Sequence, residues 1–466
     1  MMSMHLLCLL LTLASAEVVC EDCDSTSLLA ASPVHRSLLA ASSSRQLAIQ
    51  NKCARPMVVQ VTGGNTLTDC SEEACPTGLT CSPRELTCYF DFDEPAGGWT
   101  IEPGAWMNLS TPDNATSFED SGGNVVTVDW SGKLSFFANT SDGGLPPASF
   151  CNNAARCPTY EGLVGVATAL EFTLSPHLPD YYDVSIINGY NIGIEMKPDG
   201  SFDPVSDAAA GSFKGYNCGA AGASYQPNPN LSSCSWTFNY SVLGSLFFNH
   251  EPLSVDNHKP LSVDISPLLV QVDGGYGECT STAHCASGLV CGQVAISVEN
   301  AETGFLQPTT DISMECGHQI GTWSAWQLCV WSGNNYVSPA PFTGFINCSA
   351  DADMYGCDGS EPWTTTCYSA DGEPIDGPCC GCADWTEVLQ EPVPDNGEGC
   401  MGSSQKWMTE ALPYLTVLKE SCPTSYTYAF DDESSTFTCQ TAESRADPNV
   451  ANDAGYVITL CPSQPS

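Results

Sequence analysis

Two acidic side chains lie within short apolar runs, where carboxylates are uncommon. Glu171 is the third residue of ALEFTL, and Asp183 follows two tyrosines in YYDVSII, twelve residues further along. Glycoside hydrolysis needs two carboxyl groups beside a sugar bond, one to protonate the leaving oxygen and one to attack or to activate water. Neighbouring acids also raise each other's pKa, which suits a general acid. We therefore predict Glu171 as the acid and Asp183 as the nucleophile or base. The alternative is that both are water-exposed acids at strand edges.

A second acidic group lies between two cysteines in CPTSYTYAFDDESSTFTC, residues 422–439, and consists of Asp431, Asp432 and Glu433. Alternating aromatic residues before the acids and a Ser/Thr-rich run after them predict a β-hairpin with the acids at its tip. Aspartate side chains accept hydrogen bonds from nearby backbone N–H groups, so a turn alone explains them. The residues themselves leave open whether the acids only form the turn or also belong to a site.

Short apolar or alternating runs, separated by Gly, Pro, Asn and Asp, predict the elements that position these acids. These runs are LAIQ, MVVQVT, VVTVDW, KLSFFA, ALEFTL, YYDVSII, LSVDI and YVITLC. Such spacing is typical of an antiparallel β-sandwich or barrel, so the predicted fold class is all-β. Leucines at helical spacing predict a helix in 405–421, whose second part begins near Pro413. Residues 70–88 and 279–291 share a C-x4/5-C-x-x-G-L-x-C pattern and are predicted as disulfide-stapled loops.

The charge balance is strongly acidic, with 54 Asp and Glu against 13 Lys and Arg and a formal net charge of −41. Phosphate repels such a surface, so nucleic acid is excluded as a natural partner, and binding to anionic membranes is disfavoured. Only 14% of the residues are charged, so the acidity reflects scarce bases rather than acidic blocks. Solubility in a salty or acidic exterior is favoured over a specific cation-binding role.

The beginning of the chain predicts export. Residues 1–16 combine a short apolar run with the small-residue ending ASA, the pattern of a secretory signal peptide, and no later segment has 18 consecutive apolar residues. The 26 cysteines beyond this segment are predicted to form disulfides rather than zinc sites, because none of the seven histidines has finger spacing. Residues 17–45 are predicted as a linker or propeptide, with Arg45 as a candidate processing point.

Six N-x-S/T sequons are candidate glycosylation sites in an exported protein. They are Asn108, Asn114, Asn139, Asn230, Asn239 and Asn347.

The sequence resembles thaumatin-like proteins, the osmotin and pathogenesis-related group of plants. Residues 422–439 are similar to that family's pattern CPDAYSYAxDDxTSTFTC, and residues 167–191 resemble ATLAEFTL followed by FYDVSLVDGYN. The opening LAIQNKCARPMVVQV and the ending GYVITLCPSQP resemble the family's first and last strands. The chain is about twice the length of plant members. The resemblance therefore implies a thaumatin-like domain over 46–466, with large insertions at about 54–132 and 192–400.

This resemblance implies a β-sandwich of about eleven strands with disulfide-rich loop subdomains and one or two short helices. It also implies three disulfides. One joins Cys53 to Cys461 and so fastens the first strand to the last. Cys422 and Cys439 are expected to bond back to cysteines after the GYN strand, for which the candidates are Cys218 and Cys234.

The family's acidic cleft is lined by one arginine, one glutamate and three aspartates. Glu171 and Asp183 match the glutamate and the first aspartate, Asn188 replaces the second, and the third falls at Asp431 or Asp432. The arginine position falls at Asn139, and two basic residues could substitute for the arginine. These substitutes are Lys133 and Arg156. Candidate sugar-stacking aromatics, each also a candidate core residue, are Tyr181, Tyr182, Tyr190, Trp236 and Phe238.

Three functions are consistent with the resemblance. The first is a secreted protein that binds cell-wall β-glucan, a polysaccharide partner, in defence or in wall interaction. The second is a weak endo-β-1,3-glucanase that uses Glu171 and Asp183. The third is a protein-inhibitor or structural role with a vestigial cleft, in which the inserted loops bind a partner. The loss of charge at Asn188 favours binding over catalysis. A monomer without cofactor, metal or membrane span is expected.

Overall fold

A computed structural model describes much of the chain from Arg45 onward. The described residues are 45–63, 65–71, 74–75, 79–81, 87–89, 92, 95–111, 116–119, 125–138, 167–187, 189–199, 216–223, 233–239, 242–243, 269–294, 297–299, 306–308, 313–322, 330–332, 335–337, 367–368, 374–375, 383–393, 407–408, 411–428, 431–447 and 449–462.

Strands dominate the described residues, as the alternating sequence runs predict. The strands in the first part are β1 (Gln46–Asn51), β2 (Met57–Gly63), β3 (Asn65–Asp69), β4 (Thr80–Cys81), β5 (Thr87–Tyr89), β6 (Thr100–Ile101), β7 (Trp106–Ser110), β8 (Thr116–Glu119), β9 (Val125–Val128), β10 (Trp130–Ala138), β11 (Ala169–Leu174), β12 (Asp180–Ser185) and β13 (Ile194–Pro198). Those that follow are β14 (Val270–Val272), β15 (Val290–Val294), β16 (Ser297–Glu299), β17 (Leu306–Pro308), β18 (Ser313–Gly317), β19 (Gln319–Thr322), β20 (Val330–Ser332), β21 (Asn335–Val337), β22 (Cys367–Tyr368), β23 (Pro374–Ile375), β24 (Phe437–Cys439) and β25 (Tyr456–Leu460).

Two sheets share the main hydrophobic core and form the expected all-β sandwich. One has the strand order β13-β25-β1-β7, and the other has the order β24-β12-β11-β10-β2-β6. Alternating residues on each strand point inward, so Leu47 and Ile458 of the first sheet belong to one buried cluster with Phe136 and Leu170 of the second. Burial of this alternating apolar set fixes the register, because a one-residue slip would turn it to the other face.

The first and last strands lie side by side in parallel, with Leu47 opposite Tyr456 and Asn51 opposite Leu460. This pair departs from the antiparallel arrangement of the other pairs in the two main sheets. The disulfide Cys53–Cys461 follows immediately after both strands and closes a loop with a sequence separation of 408 residues. In the chain-entropy account, closing so long a loop stabilises the fold by about 6 kcal/mol.

Helices are short in the described part of the chain. They are α1 (Trp385–Leu389), α2 (Leu412–Ser421), α3 (Asp432–Ser435) and α4 (Ala442–Ala446), with a 3₁₀ turn at Thr282–His284. Helix α2 has Pro413 in its first turn, as the leucine spacing predicts. No helix that the structure describes is long and apolar enough to cross a membrane.

The β-hairpin predicted for residues 422–439 is not present, and that prediction was wrong. Among the described residues of this segment, 422–428 and 431–439, the one strand is β24, which pairs with β12, while α3 occupies the predicted turn. Residues near Tyr426 meet the end of β12 through a single parallel bridge to Ser185. The aromatic alternation therefore reflects packing in an irregular segment rather than a strand.

Both cysteine-rich segments have the same crossed disulfide pattern, first with third and second with fourth. The first has the bonds Cys70–Cys81 and Cys75–Cys88. The second has the bonds Cys279–Cys291 and Cys285–Cys316, and it belongs to the four-stranded sheet β18-β15-β14-β19. The cysteines that cluster in each segment are thus bonded to sulfur. Cys379, Cys380 and Cys382 lie outside the described residues.

The ranges assigned to insertions contain parts of the sandwich, so the accessory segments are smaller than the sequence suggested. Strands β2, β6 and β7 lie within 54–132 and belong to the two main sheets, and β13 of the first sheet lies within 192–400. Arg45, placed at the end of the linker in the sequence analysis, is buried and is part of the fold. Its guanidinium group binds Asp180 at 2.6 Å, so it is not an exposed processing point.

Candidate functional site

The side of the six-stranded sheet that faces away from the core carries polar side chains. On β11, Leu170 and Phe172 enter the core, while Glu171 between them is half-buried on the opposite face. On β12, Asp183 has the same position between the buried Tyr182 and Val184. The strand period of two therefore turns both predicted acids toward one surface.

Three charged residues stand in one row on this surface, which we call the charged row: Lys133 on β10, Glu171 on β11 and Asp183 on β12. Lys133 pairs with Glu171, and Glu171 pairs with Asp183, in antiparallel register. Directly opposite residues have Cβ atoms roughly 4.5–5.5 Å apart. Lys133, one of the two proposed substitutes for the missing arginine, thus lies beside the acids.

The carboxyl group of Asp183, in the charged row, is enclosed and has a strongly raised pKa. Burial raises its pKa well above the ordinary value, and the negative charges of Glu171, Asp432 and Asp431 raise it further. The residue as a whole is half-buried, but its Oδ1 is shielded from solvent and has no hydrogen-bond partner in the described structure. Asp183 therefore retains its proton at higher pH than an ordinary aspartate.

Asp432 extends the acidic surface from the neighbouring segment. It is half-buried at the start of α3 and accepts a hydrogen bond from the Tyr426 hydroxyl group, which lies 2.8 Å from Thr436 Oγ1. Burial raises the pKa of Asp432, with Asp431 adding to the shift. Burial also raises the pKa of Tyr426, to which Asp432 and Asp183 contribute. Of the two candidate aspartates, Asp432 is the one on the site surface.

Asp431 is a structural residue. Its Oδ2 accepts from Lys419 Nζ at 2.7 Å and from Thr427 N and Oγ1 at 3.0 and 2.8 Å. Its Oδ1 accepts from Trp385 Nε1 at 2.7 Å and from Ser434 Oγ at 2.9 Å. A buried carboxylate with five donors has no capacity left for a ligand, so its assignment to the binding surface is corrected.

Two disulfides hold this segment against the rest of the domain, and their four cysteines are those that the resemblance implies. Cys439 is bonded to Cys218, and Cys422 is bonded to Cys234. Because Asp432 lies between Cys422 and Cys439, the two bonds fix the segment that places it beside Asp183.

The candidate stacking aromatics separate into one surface residue and four packing residues. Tyr181 is half-buried on β12, two residues from Asp183 on the same face. Tyr182 is instead in the core, where it donates to Gly219 O at 2.7 Å. Trp236 and Phe238 are also buried. Of this set, Tyr181 alone lies beside the charged row.

Tyr190, predicted as a ligand-binding residue, packs at the base of an inserted segment. Its ring stacks on Trp236 at 5.7 Å and meets the edge of Phe238 at 4.5 Å. Its backbone N–H donates to Thr322 O at 3.0 Å, and Thr322 N donates back at 2.6 Å. The two backbone hydrogen bonds join β19 to the sandwich. Trp236 and Phe238 occupy the ring of Tyr190, so the prediction of a sugar-stacking role is corrected.

Several predicted positions lie outside the described residues. They are Asn114, Asn139, Arg156, Asn188, Asn230 and Asn347. The other two sequon asparagines, Asn108 and Asn239, are exposed.

The contacts that support the site were not predicted from the sequence. Lys419 and Trp385 hold Asp431, while Arg45 and the Tyr456 hydroxyl group bind Asp180, the latter at 2.6 Å. Burial raises the pKa of Asp180 to about 6, against the opposing influence of Arg45. The signal available in the sequence was the small number of lysine and arginine residues. When such a residue is buried it needs an acidic partner, as Lys419 and Arg45 do here.

Comparisons with known proteins agree with this architecture. The profile of the thaumatin family matches residues 93–243. Thaumatin-like protein 1 of Arabidopsis thaliana is 43% identical over 70 residues, which is 15% of this chain and 22% of that protein. Pathogenesis-related protein 5 of Arabidopsis thaliana is 39% identical over 66 residues, 14% of this chain and 22% of that protein.

A longer match is found with Thaumatin-like protein 1b of Malus domestica. It is 27% identical over 190 residues, which cover 39% of this chain and 73% of that protein. The two Arabidopsis thaliana matches are thus local and span about a fifth of those relatives, whereas this one extends over most of its relative.

Proposed function

Because the chain belongs to the thaumatin family, as an expanded and divergent member, we propose that it is an exported defence protein that binds cell-wall β-glucan. The proposed binding surface is the charged row with Tyr181 and Asp432. The name of one relative, a pathogenesis-related protein, supports the defence role. The disulfides that run through the domain support export, because such bonds persist in oxidising compartments.

The observation that carries the proposal is the pairing of Glu171 with Asp183 across adjacent strands. Like charges directly opposite each other destabilise a sheet, so such a pair is retained at a cost. Carboxyl groups accept hydrogen bonds from sugar hydroxyl groups, and Lys133 donates in the same row. Tyr181 adds an aromatic surface on the same face. These groups match a neutral, hydroxyl-rich ligand.

Binding to insoluble β-1,3-glucan tests the proposal. The purified protein is mixed with the glucan, and the fraction removed from solution is measured for the wild type, Glu171→Gln and Asp183→Asn. Glu443→Gln is the matched control, because Glu443 is an exposed acid on α4. Removal of wild type and control, with loss of removal in both site variants, is the expected result. Equal removal of all four proteins contradicts the proposal. Cellulose and chitin measured in parallel define the preferred linkage.

A second function, weak endo-β-1,3-glucanase activity, is favoured by one electrostatic feature. The raised pKa of Asp183 makes this residue the candidate proton donor, with Glu171 as the nucleophile. This reverses the roles that were predicted from the sequence. Release of reducing ends from the same glucan, lost in both site variants, would establish catalysis. Removal from solution without release would leave binding as the function.

A further inference from the structure

An exposed tryptophan stands beside a glycosylation sequon on the outer face of the four-stranded sheet of the sandwich. Trp106 is 54% exposed, although a tryptophan is the kind of side chain that folding or binding normally covers. Trp106 is the first residue of the run WMNLS, in which Asn108 is the sequon asparagine and Ser110 is the sequon hydroxyl residue. Within β7 the burial alternates, with Trp106, Asn108 and Ser110 exposed and Met107 and Leu109 buried.

The strand geometry places the indole and the amide side by side. Residues two apart on a strand point to the same face, with Cα atoms roughly 7 Å apart. The residue opposite Asn108 on β1 is Ala48, and the residue opposite Trp106 is Gln50. A small side chain across from the asparagine leaves room above the sheet for a sugar ring. The Asn108 side chain makes no hydrogen bond within the described part of the chain, so its amide is available.

We propose that Asn108 carries an N-linked glycan whose first N-acetylglucosamine stacks on Trp106, so that the chain's own sugar covers the exposed indole. The apolar face of a pyranose ring matches the flat indole surface. The proposal rests on the export that is part of the proposed function, but not on glucan binding. Because β7 is at the edge of its sheet in the described structure, the glycan would also shield that edge from pairing with another chain.

The covalent step is a group transfer without redox change. The donor is a polyprenyl-diphosphate-linked oligosaccharide, the class used in the secretory pathway. A bond forms between Asn108 Nδ2 and the anomeric carbon of the sugar, while the bond from that carbon to the diphosphate oxygen breaks. The lipid diphosphate leaves, and the amide nitrogen loses one proton.

Asn239 provides a control within the same chain. It is an exposed sequon asparagine, but the residue two positions before it is the exposed Thr237. Its side-chain oxygen accepts a hydrogen bond from Val242 N at 3.2 Å. A glycan at Asn239 therefore has no tryptophan at the corresponding position.

The test uses the full chain, secreted from a eukaryotic host behind a heterologous leader so that native export is not required. Glycopeptide mass spectrometry measures occupancy at Asn108. Urea unfolding is then compared for the wild type, Asn108→Gln, Trp106→Thr and the double variant. Asn239→Gln, alone and with Trp106→Thr, is the control cycle. Ser110→Thr retains the sequon and is expected to retain the stability.

The expected result is an occupied Asn108 and a coupling of about two- to tenfold in the unfolding equilibrium constant between Asn108→Gln and Trp106→Thr, the size of a stacking contact. Asn239→Gln should show no coupling to Trp106→Thr. In nuclear magnetic resonance spectra, ring-current shifts of the first sugar should disappear in Trp106→Thr. An unmodified Asn108, or additive effects of the two substitutions, would overturn the proposal. Either result leaves the glucan assay unaffected, so the two proposals fail independently.

Discussion

Glu171 and Asp183 lie directly opposite each other on adjacent antiparallel strands, with Lys133 next to Glu171 in the same row. The arrangement brings two acids together on a sheet whose other face is a hydrophobic core. Burial and neighbouring acids raise the pKa of Asp183, which lowers the cost of the pair by keeping a proton on it. The domain is therefore expected to be less stable with this pair of acids than it would be without it.

The contribution of Asp183 to the free energy of unfolding should fall as the pH rises above the unfolded-state pKa of an aspartate. The folded-state pKa of Asp183 is raised, so between the two values the native state binds more protons than the unfolded chain. The proton on Asp183 thus stabilises the fold at low pH, and this contribution disappears as the pH passes its folded pKa. Asp183→Asn should be more stable than wild type at pH 8 and closer to it at pH 4. Urea unfolding at several pH values measures the difference, and equal pH slopes for the two proteins would refute it.

Lys419→Met should destabilise the domain strongly, because it leaves the buried Asp431 without its cation. Breaking one partner of a buried ion pair costs about 3–5 kcal/mol. Urea unfolding provides the free energy, with the exposed-site variant Glu443→Gln as the control. A change below about 1 kcal/mol would show that the pair does not contribute in this way.

Asp431 and Asp432 should respond differently to substitution by asparagine. Asp431→Asn removes a charge held by five donors, so we expect lower stability with glucan affinity retained in the protein that folds. Asp432→Asn changes the site surface, so we expect weaker glucan binding with a smaller stability loss. Unfolding and binding measured on the same preparations provide the comparison. Identical profiles for the two variants would contradict the assignment.

Arg45→Met should reduce stability more at pH 7 than at pH 5. The guanidinium is buried against Asp180, whose pKa is about 6 with the arginine present. Without the cation this pKa should rise further, so at pH 7 folding would have to bury an unpaired charge or take up a proton. At pH 5 the carboxyl group is already protonated and the loss is smaller. Arg55→Met, at a half-buried arginine near the start of β2, is the control. An equal loss at both pH values would exclude this linkage.

The sandwich was predictable because apolar residues recur in its strands with the two-residue period of a β-strand, and these are the residues that become buried. Runs such as ALEFTL and YYDVS therefore indicated both the strands and the outward direction of Glu171 and Asp183. Pro413 indicated the beginning of α2, because proline is favoured in the first turn of a helix.

The separate roles of Asp431 and Asp432 could not be predicted, since both lie in the same sequence motif. The distinction depends on Lys419 and Trp385, which approach from two other helices. The same holds for Tyr190, whose packing partners Trp236 and Thr322 are distant in sequence. Propensity suggested a hairpin at 422–439, but burial of the Asp431 carboxylate with its donors determines the compact turn.

The most direct test of the central claim is calorimetric titration of a soluble β-1,3-gluco-oligosaccharide into the wild type, Glu171→Gln, Asp183→Asn and the control Glu443→Gln. A hydrogen bond to a charged group contributes about 1.5–3 kcal/mol and one to a neutral group about 0.5–1.5 kcal/mol. Glu171→Gln should therefore bind roughly tenfold to a hundredfold more weakly, and Asp183→Asn, which replaces a carboxyl group that keeps its proton, roughly twofold to tenfold more weakly, while the control binds as the wild type does. Equal affinity in all four folded proteins would contradict the assignment of ligand binding to the charged row.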